Sequence, residues 1–194
     1  MHRTKTTIAA VAALTAGLSL AGCSTASHPG AHASTSTSAT ASVHNDQDVM
    51  FAQGMLPHHQ QAIEMSDMLL KKGTGVRADV VTLAKQITTE QRPEITQLRS
   101  WLTSWGAGTS MSGMDHSMSG MMSDSDMTAL DTASADDAGK LFLQQMVEHH
   151  TSAVDMAKTE VATGKNPDAV AMAKSIVSSQ TEQITRMEDL LASR

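Results

Sequence analysis

Four stretches of this chain return an apolar residue every three or four positions, the spacing of one face of a helix. In the first, Phe51, Met55, His58, Ala62, Met65 and Leu69 fall on one stripe, the seam of a packed helix, predicting a helix over residues 46–72. Pro57 lies inside it, removes one backbone donor and predicts a bend just before the histidines. Gly73-Thr74-Gly75 ends it. The second stretch, residues 76–105, carries Val80, Ala84, Ile87, Gln91, Ile95, Leu98 and Leu102 on one side. A short glycine-containing link between two such helices makes an antiparallel hairpin. The third helix is expected over residues 134–163, capped by Ser134 with Asp137 three residues on. After Gly164, Asn166 and Pro167 open a fourth as cap and first-turn proline. It runs to residue 192, with Val170, Ala173, Ile176, Gln180, Ile184, Met187 and Leu191 inward. Neither hairpin, 46–105 or 134–194, can bury its stripe alone. The pattern therefore predicts an all-α, four-helix bundle over residues 46–194 with approximate two-fold symmetry.

The symmetry is written in the residues. Phe51, Met55, His58-His59, Ala62 and Met65 recur as Phe142, Met146, His149-His150, Ala153 and Met156, 91 positions later. The second helices match at an offset of 89, where Ala84, Ile87, Gln91, Ile95, Leu98 and Leu102 become Ala173, Ile176, Gln180, Ile184, Met187 and Leu191. In Met-x-x-His-His the thioether stands three and four residues before the two imidazoles, the separations that meet on a helix surface. Alanine one turn beyond leaves room. Met65 and Met156 return to the same face two turns past His58 and His149. Packing two such faces together brings four histidines and four methionines toward one place.

Those donors select a metal. Thioethers are soft and suit Cu(I), imidazole suits copper, zinc, iron and nickel, and zinc sites rarely use methionine. Di-iron bundles use Glu-x-x-His pairs, and no glutamate here has a histidine three residues later. Copper, as Cu(I), fits best. A methionine on a stripe is commonly core filler, but two adjacent histidine pairs are costly to bury without a partner. Gln91 and Gln180 lie on otherwise apolar stripes at the histidines' height. Two readings stand for them: an amide that orients an imidazole or holds a water, or a plain interhelical hydrogen bond.

Between the hairpins, residues 106–133 lose all periodicity and are expected to form a flexible linker. They interleave Gly, Ser and Asp with Met111, Met114, His116, Met118, Met121, Met122 and Met127. A loop of this length is either functional or disordered. Methionine is uncommon in disordered chains, and the stretch Met111–Met122 resembles the Met- and His-rich segments of bacterial extracytoplasmic copper proteins, which implies copper capture.

Charge and composition narrow the class. The net charge of −6 gives no reason to expect a nucleic-acid partner, and two Phe, two Trp and no Tyr disfavour strands. Residues 1–23 have a basic start at Arg3 and Lys5 and an apolar run from Ile8 to Leu20, the pattern of a secretory leader. Its end, Leu20-Ala21-Gly22-Cys23, resembles the lipobox of bacterial lipoproteins, which implies lipidation at Cys23 and a membrane-anchored, extracytoplasmic protein; an ordinary leader is the plainer reading. Cys23 is the only cysteine, so no intramolecular disulfide can form. Residues 24–45 are rich in Ser, Thr and Ala and read as a disordered tether.

The doubled frame Phe-x₃-Met-x₂-His-His-x₂-Ala-x₂-Met, each followed by Gln91 or Gln180 and its apolar stripe, resembles the domain of unknown function 305 family. That resemblance covers about residues 45–192 and implies a ferritin-like helical bundle linked with copper handling. The expectation is a copper-binding lipoprotein that sequesters Cu(I) or exchanges it with a donor or acceptor protein, and is not an enzyme. A metal-dependent oxidase and a metal-free, His-rich adaptor are the rivals. A homodimer formed by helix exchange would keep every spacing.

Overall fold

The computed structural model describes residues 43–109 and 120–193. Among them are five helices and no strand. The expected leader, Cys23 and most of the tether lie outside the described residues, as do Met111, Met114, His116 and Met118. No described helix is long and apolar enough to cross a membrane.

Helix α1 spans Asp46–Lys71 and starts at a capping box in which Asn45 and Asp48 exchange side-chain and backbone hydrogen bonds. It runs on through Pro57. A 3₁₀ turn at Gly73–Gly75, with Gly73 at φ 72°, turns the chain into α2, Ala78–Ser104. Helix α4, Ala135–Thr163, is capped by Ser134, and α5, Pro167–Ala192, by Asn166. The boundaries expected from the sequence hold to within two residues.

The 106–133 segment departs from expectation. Residues Asp124–Thr132 form a further helix, α3, capped by a Ser123–Asp126 box. Polar on most sides, it is held by one fully buried residue, Leu130. A helix this short gives too few turns for its period to stand out.

Cross-links fix the topology. The Asn45 side chain donates to Thr163 O at 2.9 Å, so α1 and α4 are antiparallel. Arg77, before α2, donates to Leu190 O at 3.1 Å, so α2 and α5 are antiparallel too. The segment between the hairpins therefore travels the length of the bundle, the single long crossover of ferritin-like folds. Its described residues lie alongside α1, with Gly108 O accepting from Gln53 at 2.8 Å, Met122 bonded to Gln61 and Ala133 O accepting from Lys72 at 3.0 Å. The hairpins meet mainly through α1 and α4, while α2 and α5 barely touch.

A buried carboxyl pair closes one end. Asp48, fully buried, accepts from the backbone N–H groups of Asn45 at 2.6 Å, Lys165 at 3.1 Å and Asn166 at 2.8 Å. Burial opposes its charge, but the donors from Asn45, Asn166, the facing Glu160 carboxyl and Lys165 outweigh it and hold its pKa below the usual value. Glu160 is pushed up to about 8, first by burial and then by its hydrogen bond to the Asp48 carboxylate and that group's charge. The folded chain thus keeps a proton on Glu160 that the unfolded chain releases above its ordinary value of 4.5. Stability from this group is complete below that value and is lost as pH rises through the folded value. Glu160→Gln is expected to match the parent chain at pH 5. It should melt a few degrees higher at pH 9, with the gap opening between; thermal melts of both across that range check this.

Candidate metal centre

The a/d stripes of α1 and α4 carry both histidine pairs to the middle of the bundle. His58 and His149 meet across it with ring centroids 3.7 Å apart and planes tilted by 41°. His149 and His150 have centroids 6.1 Å apart. All four side chains are fully buried. One residue is about 100° of helix, so the second histidine of each pair turns away from the seam, His59 toward α2 and His150 toward α5.

Those outer histidines are tied down. His59 Nε2–H donates to Glu94 Oε2 at 2.7 Å. His150 Nε2–H donates to Gln183 Oε1 at 2.8 Å, and the Gln183 amide in turn donates to Glu90 Oε2 at 2.7 Å. A carboxylate can only accept, and Gln183 spends its N–H on Glu90, so Nε2 is the protonated nitrogen in both rings. The lone pair is left on Nδ1, which has no partner in either ring. His58 and His149 have no partner on either nitrogen. Burial above all pushes the His58 pKa down to about 3, with His59 and His150 adding to it. His149 is pushed well below its ordinary value, by burial and then by His58, His150 and His59. His150 falls to about 4 through burial, against the pull of the Gln183 hydrogen bond. His58, His149 and His150 are neutral near pH 7. Their lone pairs are free for a Lewis acid.

Sulfur flanks this layer on both sides. Ala62, Met65 and Met146 belong to one buried apolar cluster. Met55 and Ala153 belong to another, with Met156 packed against it. Each cluster takes one methionine of the repeat from α1 and one from α4. Met55, Met65 and Met146 are fully buried, whereas Met156 is half-buried. Among the described residues no three His, Cys, Asp or Glu side chains converge as a metal-holding group by themselves.

Of the linker methionines, Met122 is buried and Met121 half-buried. Met122 joins the Met65/Met146 cluster. The Gln61 amide grips its backbone, donating to Met122 O at 2.8 Å and accepting from Met122 N–H at 2.7 Å. Two residues back, Gly120 has φ 82°, and a Cβ there would overlap the Ser152 side chain of α4. The crossover is thus stitched to both central helices beside the histidine layer.

Gln91 and Gln180 are buried as expected, yet neither bonds an imidazole. Both polar atoms of Gln91 and the oxygen of Gln180 have no partner. The bonding residues stand one turn further on, at Glu94 and Gln183. Comparison of the two repeats in sequence sets Glu94 against Gln183 at the offset of 89 and implies half-sites of unequal affinity, but it gives the imidazole-orienting role to Gln91 and Gln180 and not to these two. Gln61 carried no signal at all, because it serves the backbone of a non-periodic segment.

Solved structures share this fold. A DUF305 fragment from Deinococcus radiodurans is 30% identical, with a TM-score of 0.70 over 77% of this chain and 98% of its own. A DUF305 protein of Streptomyces coelicolor, proposed to be secreted, is 34% identical, with a TM-score of 0.70 over 75% and 92%. CopM in its Cu(I)-bound form is 29% identical, with a TM-score of 0.61 over 74% and 94%. CopM has also been solved with Cu(II) and with silver. No curated protein matches the sequence. The domain of unknown function DUF305 matches residues 48–191, most of the chain and all of the histidine layer, and the chain belongs to the DUF305 family.

Proposed function

We propose that this protein binds copper in the histidine layer and stores it or passes it on, with Cu(I) as its principal cargo. One observation carries the reading: four buried imidazoles, each with at least one ring nitrogen lacking a partner, stand between two methionine-bearing clusters. A buried polar atom without a partner costs about 1–3 kcal/mol. Six such nitrogens in one layer are best explained by a ligand that uses them. The copper-bound forms of CopM, a structural relative, agree with this choice.

The layer's neutral nitrogens and soft sulfurs match Cu(I). On this reading copper is cargo, and we propose storage or transfer of the metal and not its use in catalysis. The leader pattern and the sequence around Cys23 support a lipid-anchored protein outside the cytoplasm, which would exchange copper there with a donor or acceptor.

Titration of the full chain with Cu(I) against a chromophoric chelator tests the assignment. Two variants accompany it. One has His58, His59, His149 and His150 replaced by leucine, and the other has Met111, Met114, Met118 and Met121 replaced by serine. Tight binding is expected to be lost in the first, with helical circular dichroism kept, and to survive in the second. The reverse pattern would move the site to the linker and sink the assignment.

A further inference from the structure

The two halves of the histidine layer repeat the same donor residue types, with Met156 the most exposed of them, and differ in what stands behind the outer histidines. Glu94 and Gln183 occupy equivalent positions of α2 and α5. Each accepts the Nε2–H of the outer histidine of its own hairpin, at 2.7 Å and 2.8 Å. One acceptor is a carboxylate with its side chain 19% exposed, on an imidazole with no exposure. The other is a neutral amide, buried and itself bound to Glu90. The internal repeat therefore supplies its own comparison, with the same ring, the same protonated nitrogen and a different charge.

We infer that Glu94 is a positioning residue that sets the oxidation-state preference of the layer, making the His58/His59 half the better site for Cu(II) and leaving the His149/His150 half to Cu(I). The inference rests on the copper reading above. A carboxylate hydrogen-bonded to the far nitrogen raises the basicity of a ligating imidazole and fixes its orientation. The gain is larger for the more highly charged ion, because the carboxylate's attraction scales with the charge it faces. An amide orients the ring without that bias. Glu90 stands behind the Gln183 amide, one hydrogen bond further from the His150 ring, and its attraction for an ion there falls with that distance.

The test is Glu94→Gln in the full chain. The amide keeps the side chain's length and an oxygen that can accept from His59, and removes only the charge. Cu(II) and Cu(I) affinities of the parent and variant chains are measured by competition with a chelator selective for each ion, together with the electron paramagnetic resonance spectrum of the Cu(II) form. Outer-sphere partners of metal-bound histidines typically change affinity by about 10–100-fold. The expected result is a fall in Cu(II) affinity of that order, Cu(I) affinity changed by less than about 3-fold, and altered copper hyperfine coupling. A tenfold change in the ratio corresponds to about 59 mV for one electron. Equal losses for the two ions would make Glu94 a purely geometric support and overturn the inference, as would no loss for either. Tight copper binding by the parent chain in those outcomes leaves the proposed function standing; its absence would overturn both.

Discussion

Adding Cu(I) under anaerobic conditions is expected to raise the melting temperature of the full chain by about 10 °C. In the variant with leucine at positions 58, 59, 149 and 150 it should raise it hardly at all. The magnitude follows from linkage. A ligand at about 1,000 times its dissociation constant, bound only by the folded chain, adds about 4 kcal/mol. For a domain of this size each kcal/mol is worth about 2–4 °C. The site is of the kind that loses most without its ligand. His58 and His149 lie ring against ring with all four nitrogens unpartnered, and no water-facing edge relieves them. The metal-free leucine variant is expected to be about as stable as the parent chain: leucine at 58 and 149 removes unpartnered nitrogens, while leucine at 59 and 150 takes the hydrogen bonds from Glu94 and Gln183. Scanning fluorimetry with and without Cu(I) checks both statements. An equal rise in the variant would place the copper elsewhere.

Asp48→Ala is expected to be the most destabilising single change at the closed end of the bundle, by about 3–5 kcal/mol, or roughly 10 °C. The carboxylate collects three backbone N–H groups drawn from the start of α1 and the turn between α4 and α5. All three lose their acceptor together, and Glu160 loses the partner it faces. Gly164 leaves no slack nearby. A Cβ there would lie 2.6 Å from Glu160 Cδ and 2.7 Å from its backbone oxygen, so the turn packs closely on the end of α4. Chemical denaturation of the metal-free chain measures the loss. A change under about 1 kcal/mol would mean that water takes over these donors.

The helices were legible because their stripes are long and regular, and the repeat doubled the signal. The histidine pairs were legible for the same reason. What escaped the sequence is polar. In α5 the stripe expected through Val170, Ile184 and Leu191 runs instead through Ala169, Gln183 and Leu190. Hydrophobicity favours Ile184 over Gln183, but only Gln183 can satisfy His150, and the helix turns accordingly. Gln91 is the opposite case, buried on the expected face and bonded to nothing. Asp48 reads in sequence as an ordinary first-turn acid, and its grip on Lys165 and Asn166 exists only once α4 folds back on α1. The short helix α3 lacks the turns that make a period visible. Its register comes from Leu130 and from Gln145, which donates to Asp126 O at 3.0 Å.

Copper K-edge X-ray absorption of the Cu(I)-loaded chain tests the central claim most directly. The account predicts a mixed shell, with imidazole nitrogen identified by its outer-ring scattering and thioether sulfur beside it, and loss of the imidazole signal in the four-leucine variant. A shell of sulfur alone, unchanged by that variant, would contradict it and leave the histidine layer without a metal.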